Sequence, residues 1–232
     1  LKKILEGSKY IDYNLFGTVT GRLSTNQGSF PILTMKKDFR RIIKPHNDWF
    51  ISLDYNAAEP RTILSLLGHE QPSIDIHQWN IDNILEGAHG PLDREKAKTL
   101  FFGWLYNPDS EVIKSEYYDR KILLDKYYVD GYIKTPFGRE IEVPERKAFN
   151  YLIQSTTSDL VIDRALEVNK LLSDKKSFIS HIIHDEMVLD MPDSERHLIP
   201  QIKEMFAVNK LDTYMVNLQA GKNCFEFGDL NL

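Results

Sequence analysis

The chain has 232 residues, 42% of them hydrophobic and 27% charged, which is ordinary for a globular protein and long enough for one substantial core or two small lobes. A single cysteine, Cys224, excludes an internal disulfide and a cysteine-rich zinc site, and no apolar run nears the ~20 residues of a membrane span. The formal net charge of −5 argues against a nucleic-acid binder as a sum, because phosphate contacts need cations. The distribution says more. Lys36, Lys37, Arg40, Arg41 and Lys44 crowd residues 36–44, and Lys134, Arg139, Arg146 and Lys147 form a second cluster; either also reads as a solvated face. The opening LKKILEGSKY lacks the apolar core of a secretory signal, so a reducing, cytoplasmic location is expected. A start at Leu1 rather than Met predicts a fragment, a processed product or a trimmed chain.

Along the chain, residues 1–47 are polar and punctuated by Gly7, Gly17, Gly21 and Gly28. Trp49 to Asp54 reads as a short buried strand ending on a carboxylate. A helix follows from about Ala57 to Leu67, with Pro60 in its first turn and Gly68 as its stop. A second helix opens at the N-cap Asp93 and runs to Tyr106, ended by Asn107-Pro108. Gly131 to Val143 predicts two strands around a turn at Pro136 to Gly138. A long helix spans roughly Glu145 to Leu172. Ser177 to Asp190 is a hairpin with His184-Asp185-Glu186 at its tip, a helix covers Glu195 to Val208, and a final strand lies near Tyr214 to Gln219. Strands and helices mix without regular βα alternation, which predicts an α+β layout.

Two carboxylates stand at the polar ends of apolar strands, Asp54 and Asp185. Each is also explicable as a turn aspartate. Side by side in one sheet they would repel unless cations lay between them, the arrangement that two-metal phosphoryl chemistry requires. Arg94, Lys98, Phe102 and Tyr106 recur every four residues and share one helical face. Two cations followed by two rings suit a nucleoside triphosphate; an ordinary amphipathic helix with two core aromatics is the alternative.

These segments carry a resemblance. Asp54-Tyr-Asn-Ala-Ala-Glu59-Pro-Arg61 is similar to motif A of family A DNA polymerases, DYSQIELR. Arg94-x3-Lys98-x3-Phe102-Gly-x2-Tyr106 resembles their motif B, and Ile183-His184-Asp185-Glu186 their motif C, VHDE. Thr20-Gly-Arg22-Leu-Ser24, Asp75-Ile-His77, Thr135-x2-Gly-Arg139, Ala148-Phe-Asn150-x3-Gln154 and Gly221-Lys-Asn-Cys224 match further segments in the family's order.

The resemblance implies a template-directed DNA polymerase of bacterial or phage type, working in the cytoplasm of a bacterial or phage-infected cell. Asp54 and Asp185, with the Tyr55 carbonyl, would hold two Mg²⁺ ions, with Mn²⁺ as a substitute. Glu186 would support those carboxylates. Lys98 would face the triphosphate and protonate the departing pyrophosphate, while Arg94 and His77 grip the outer phosphates. Phe102 would lie against sugar and base, Tyr106 would hold the template-side pocket, and Glu59 would crowd a ribose 2′-hydroxyl. Arg22, Arg146, Asn150, Gln154 and His184 would contact the primer–template. The implied fold is a right-hand polymerase palm over 1–74 and 131–232 with helical fingers over 75–130, shortened between Tyr106 and Thr135, and no thumb. A thumb or exonuclease segment supplied elsewhere is an expected partner. The alternatives are a primer–template-binding module without catalysis, a single-subunit RNA polymerase, which Glu59 opposes, and a metal-dependent phosphodiesterase, which leaves the Arg94–Tyr106 face unexplained.

Overall fold

Strand β3 (Trp49–Tyr55) is apolar at nearly every position, and five of its seven residues are buried, the pattern of a strand covered on both faces. In the computed structural model, which describes residues 4, 7–85 and 92–231, β3 is the middle of a five-stranded antiparallel sheet. With β7 (Phe178–Ile183), β8 (Glu186–Met191), β9 (Val216–Gly221) and β10 (Phe227–Asp229), the strand order is β10-β9-β3-β8-β7. Both neighbours of β3 run antiparallel to it. This sheet belongs to the first of two compact units, made of residues 1–55, 158–209 and 216–232. A two-stranded ribbon, β1 (Tyr13–Asn14) and β2 (Ser24–Thr25), lies in the same unit. The buried Asp190 accepts from the backbone N–H groups of His46 and Asn47, at 2.5 and 2.8 Å, and so fixes the chain entering β3.

The second unit comprises residues 56–157 and 210–215. Helix α1 (Ala58–Leu67) starts after Ala57, whose φ of 55° is left-handed, and stops at Gly68, φ 82°. That glycine fills the left-handed C-terminal position an L side chain would strain. Helix α2 (Ile76–Asn80) continues into a π turn over Ile81–Leu85. Helix α3 (Arg94–Tyr106) is capped by Asp93, which accepts from the Lys96 N–H at 2.8 Å. Helix α4 (Arg120–Tyr127) precedes a three-stranded antiparallel sheet of β4 (Tyr128–Val129), β5 (Tyr132–Lys134) and β6 (Glu140–Glu142). The long helix α5 (Glu145–Leu171) lies in the second unit up to Thr157 and in the first from Ser158. The core of the second unit gathers Ile63, Leu64, Phe101, Trp104, Tyr118 and Leu152, each at most 2% exposed. Arg120 stacks on the Trp104 ring at 4.2 Å and donates to the backbone carbonyls of Trp104, Asn107 and Pro108, holding the turn that follows α3.

The α+β layout with antiparallel sheets is present, and several elements differ from the sequence reading. The helix expected over Glu195–Val208 is a 3₁₀ segment, Asp193–Leu198, followed by helix α6 (Ile199–Ala207). Pro200 explains the break: without an N–H, and with a ring that excludes the carbonyl four residues earlier, it suits only the first helical turn. The strand expected from Tyr214 begins at Val216, because Tyr214 is buried in the second unit, its hydroxyl 3.4 Å from Thr62 Oγ1. Helix α4 went unread although Asp119 caps it, accepting from the Ile122 N–H. The basic run at 36–44 contains a 3₁₀ turn, Lys37–Ile42, with no buried residue.

Two measurements check this packing. Phe101 is fully buried, so Phe101→Ala should lower unfolding stability by about 3–5 kcal/mol in urea titrations, the usual cost of emptying a core aromatic site. His181 is buried against the Phe50 ring, with Nε2 3.8 Å from Cys224 Sγ, and burial together with Arg40 lowers its pKa to about 4. An unfolded histidine titrates near 6.5, so between pH 6.5 and 4 the unfolded chain binds more protons and stability is lost as the pH is lowered. His181→Phe should flatten that part of the stability profile.

Candidate active site

Asp54 is the sixth residue of β3 and pairs across the sheet with Glu186 on β8 and with Asn217 on β9. Side chains of directly paired residues share a face, and so do alternate residues of one strand. Ser52, Asp54 and Glu186 therefore lie on one face, and Ser52 Oγ donates to Glu186 Oε1 at 2.6 Å. Asp185 precedes Glu186 in the two-residue turn between β7 and β8. The turn is made by His184, whose φ of 57° is left-handed. Tyr13 fixes β7 just before it, donating to the Ile182 carbonyl at 2.7 Å and accepting from the Ile182 N–H at 2.9 Å. The first unit thus sets Asp54, Asp185 and Glu186 at the same end of adjoining strands, all three half-buried, with His184 exposed. Tyr55, next along β3, is buried, with its ring stacked on Phe206 at 4.4 Å and its hydroxyl donating to the Phe206 carbonyl.

Among the described residues, no three His, Cys, Asp or Glu side chains form a metal-binding group. Magnesium takes hard oxygen ligands, keeps several waters and is usually held by one or two carboxylates plus substrate phosphates, not by an all-protein cage. Asp54 and Asp185 fit such a donor set.

The second unit carries the other group of expected residues. Along α3, Arg94 and Lys98 are exposed, Phe102 is half-buried and Tyr106 is 46% exposed, while Ala97, Phe101, Trp104 and Leu105 face the core. The two fully buried aromatics of this helix are thus Phe101 and Trp104; on the Arg94–Tyr106 face, Arg94, Lys98 and Tyr106 are exposed while Phe102 packs half-buried against the core. Phe102 and Tyr106 stack in parallel at 6.0 Å, and Phe102 lies 6.2 Å from the His77 ring. The Tyr106 hydroxyl donates to the Glu59 carboxylate, 2.9 Å from Oε2, and Glu59 is only 7% exposed. His77 is 2% exposed, and its Nδ1 has no hydrogen-bond partner among the described residues. Burial, aided by the charges of Arg94 and Lys98, lowers its pKa to about 4 against the opposing pull of Asp75 and Glu95. That lowering favours the uncharged imidazole at neutral pH, a hydrogen-bonding group.

Asp75 received no role from the sequence, yet its carboxylate accepts four hydrogen bonds. Its Oδ1 accepts from the N–H groups of His77 and Gln78, capping α2, and its Oδ2 accepts from Asn56 Nδ2 at 2.9 Å and Arg94 at 2.8 Å. Burial alone would raise its pKa, but the hydrogen bonds from Arg94, Asn56 and Gln78 outweigh it and hold the carboxyl well below the usual range. The available signal was the Asp-x-x helix-start pattern immediately before His77.

The expected DNA contacts are dispersed. Arg146, Asn150 and Gln154 recur at four-residue spacing on α5, with Arg146 exposed and paired with Asp109 at 2.7 Å. Arg22 follows Gly21, φ 74°, in the first unit, and its carbonyl accepts from Thr18 Oγ1.

No family profile matches the chain. It is 26% identical over 246 residues to the thermostable DNA polymerase I of Thermus aquaticus, a match covering 84% of this chain and 29% of the relative. It is 24% identical over 278 residues to DNA polymerase I of Chloroflexus aurantiacus, covering 97% of this chain and 30% of the relative. The chain therefore spans under a third of the length of these curated relatives. Among solved structures it matches the POL domain of Pol1 from M. smegmatis in complex with DNA primer-template and dNTP, with a TM-score of 0.70, 19% identity, and coverage of 92% of this chain and 47% of that one. The chain is thus similar in sequence to the first two, both DNA polymerase I proteins, and in fold to the third.

Proposed function

We propose that the chain is the nucleotidyl-transfer core of a template-directed DNA polymerase, adding deoxynucleotides to a primer 3′-hydroxyl. The observation that carries this reading is the register of β3 against β8. It sets Asp54 opposite Glu186 and one residue from Asp185, at the end of an antiparallel sheet. In this reading residues 1–74 and 131–232 form a palm, and 75–130 a shortened fingers segment.

Asp54, Asp185 and the Tyr55 carbonyl would hold Mg²⁺, two ions in the full assembly, with Mn²⁺ able to replace them. Bound there, the metal would supply Lewis-acid polarisation of the attacking hydroxyl and neutralise charge on the leaving oxygens. Glu186, held by Ser52, keeps the first carboxylate pair in place. The primer hydroxyl would lose its proton to solvent water, and its oxygen would form a bond to the α-phosphorus as the bond from that phosphorus to the pyrophosphate oxygen breaks. Lys98 gives its proton to the departing pyrophosphate. Arg94 binds the outer phosphates as a charge-assisted donor, and the neutral His77 adds an N–H hydrogen bond. Phe102 and Tyr106, already stacked, offer a flat apolar surface for sugar and base. Arg22, Arg146, Asn150, Gln154 and His184 serve the primer–template; minor-groove acceptors lie at similar places for every base pair, so such contacts check geometry without reading sequence.

Asp54→Asn and Asp185→Asn should each cut primer extension with Mg²⁺ by about three orders of magnitude or more while DNA binding survives, since charge neutralisation at the reacting phosphorus supplies much of the catalysis. Near-normal extension by either variant, followed as single-turnover incorporation, would sink the assignment. Binding without any incorporation by the unaltered chain would instead favour a module that holds primer–template for another subunit.

Glu59 is buried and held by the Tyr106 hydroxyl, so it is a fixed obstacle to a ribose 2′-hydroxyl. Discrimination of this kind is built by clash with the wrong substrate. Glu59→Ala should raise ribonucleotide incorporation relative to deoxynucleotide by roughly tenfold or more in competition assays, a barrier change of about 1.4 kcal/mol. An unchanged ratio would remove Glu59 from sugar selection.

A further inference from the structure

The Asp75 carboxylate is filled on all sides. An ionised carboxylate has about four acceptor sites, and here four donors occupy them: the His77 and Gln78 N–H groups on Oδ1, Asn56 Nδ2 and the Arg94 guanidinium on Oδ2. Asn56 is itself fixed. Its Oδ1 accepts from Arg61 at 3.1 Å and from the Ile76 N–H at 3.0 Å. Arg61 is fully buried and donates also to the carbonyls of Asn56, Pro72 and Ile74, which fixes the loop leading to Asp75. The order Arg61, Asn56, Asp75, Arg94 is therefore an unbroken chain of hydrogen bonds from a buried cation to an exposed one.

The two carboxylates on Arg94 differ in kind. Asp75 holds one terminal nitrogen at 2.8 Å with a side chain only 26% exposed. Glu95 holds the other at 3.1 Å with a side chain 76% exposed, a contact that solvent and salt weaken. An anion approaching α3 thus meets a guanidinium with one nitrogen fixed and the other readily released.

We propose that Asp75 is a positioning residue for triphosphate binding. It clamps one nitrogen of Arg94 so that the other turns from Glu95 to the outer phosphates, and through its N-cap bonds it holds His77 in the same arrangement. This rests on the polymerase reading for the identity of the triphosphate. The physical gain is pre-organisation: a guanidinium already fixed in direction loses less freedom when it binds phosphate.

Asp75→Asn tests the idea, because the amide keeps an oxygen for the helix cap but points a donor at two donors, Asn56 Nδ2 and Arg94. The expected result is a KM for dNTP raised roughly tenfold or more, with kcat changed less than about threefold, the signature of lost ground-state binding. A lowered kcat and melting temperature with unchanged KM would mean a merely structural role and overturn the proposal.

Adding Asn56→Asp to Asp75→Asn reverses the polarity of the 56–75 bond and keeps the acceptors for Arg61 and Ile76, yet leaves Arg94 without its clamp. The double variant should regain thermal stability while KM stays raised; recovery of KM along with stability overturns the proposal. In an Arg94→Ala background, Asp75→Asn should change KM by less than about twofold, and additive effects would also overturn it.

Direct titration of the same variants with dATP and Mg²⁺, read by calorimetry without primer, separates this idea from the polymerase reading. Binding that follows the predicted order in a chain without incorporation removes only the polymerase reading. Absence of triphosphate binding by the unaltered chain removes both.

Discussion

The register of β3 between β8 and β9 is the constraint on which the candidate chemistry depends. Side chains alternate faces along a strand, so a slip of one residue would move Asp54 to the opposite face and part it from Glu186. That slip is prevented by burial: Phe50, Ile51, Leu53 and Tyr55 are each at most 3% exposed, and Met187, Val188 and Leu189 are similarly enclosed on the partner strand. Apolar packing along the middle of the strands thus fixes where their polar ends stand. The Tyr13 hydroxyl, bonded to both backbone groups of Ile182, adds a second fixture beside the turn that carries Asp185.

In the second unit the organising principle is electrostatic. A fully buried arginine is costly unless its donors are satisfied, and Arg61 meets that demand with backbone carbonyls and the Asn56 amide oxygen. Burial lowers its pKa, with Tyr118, Asp75 and Tyr214 opposing the shift. Satisfying Arg61 orders the loop at 71–75, and that loop in turn delivers the cap of α2 and the partner of Arg94. A net charge of −5 is compatible with the phosphate binding proposed above: affinity for an anion is set by the few charges that face it, and Arg94 and Lys98 are both exposed on α3.

Hydrophobic periodicity, caps and turn residues made most of the fold legible, including β3, α1, α3, α5 and the β7–β8 hairpin, because each rests on a local signal strong enough to survive packing. The spacing of Arg94, Lys98, Phe102 and Tyr106 also disclosed a shared helical face. What periodicity could not say was whether that face met the core or left it. Phe101 and Trp104 took the core positions because they lie on the side of α3 that Tyr118 and Phe149 cover, a fact of long-range packing.

The sequence by itself determined which chemistry-bearing residues exist, the order of their segments and the helices and strands that carry most of them. Tertiary structure decided the rest: that Asp54 stands opposite Glu186, that His77 is buried and uncharged, that Tyr214 leaves the last strand for the second unit, and that Asp75 joins Asn56 to Arg94. The physical reason is common to all four. Local patterning reports the direction of a side chain about its own axis, whereas charge state, register and hydrogen-bond partner depend on groups brought near from distant parts of the chain.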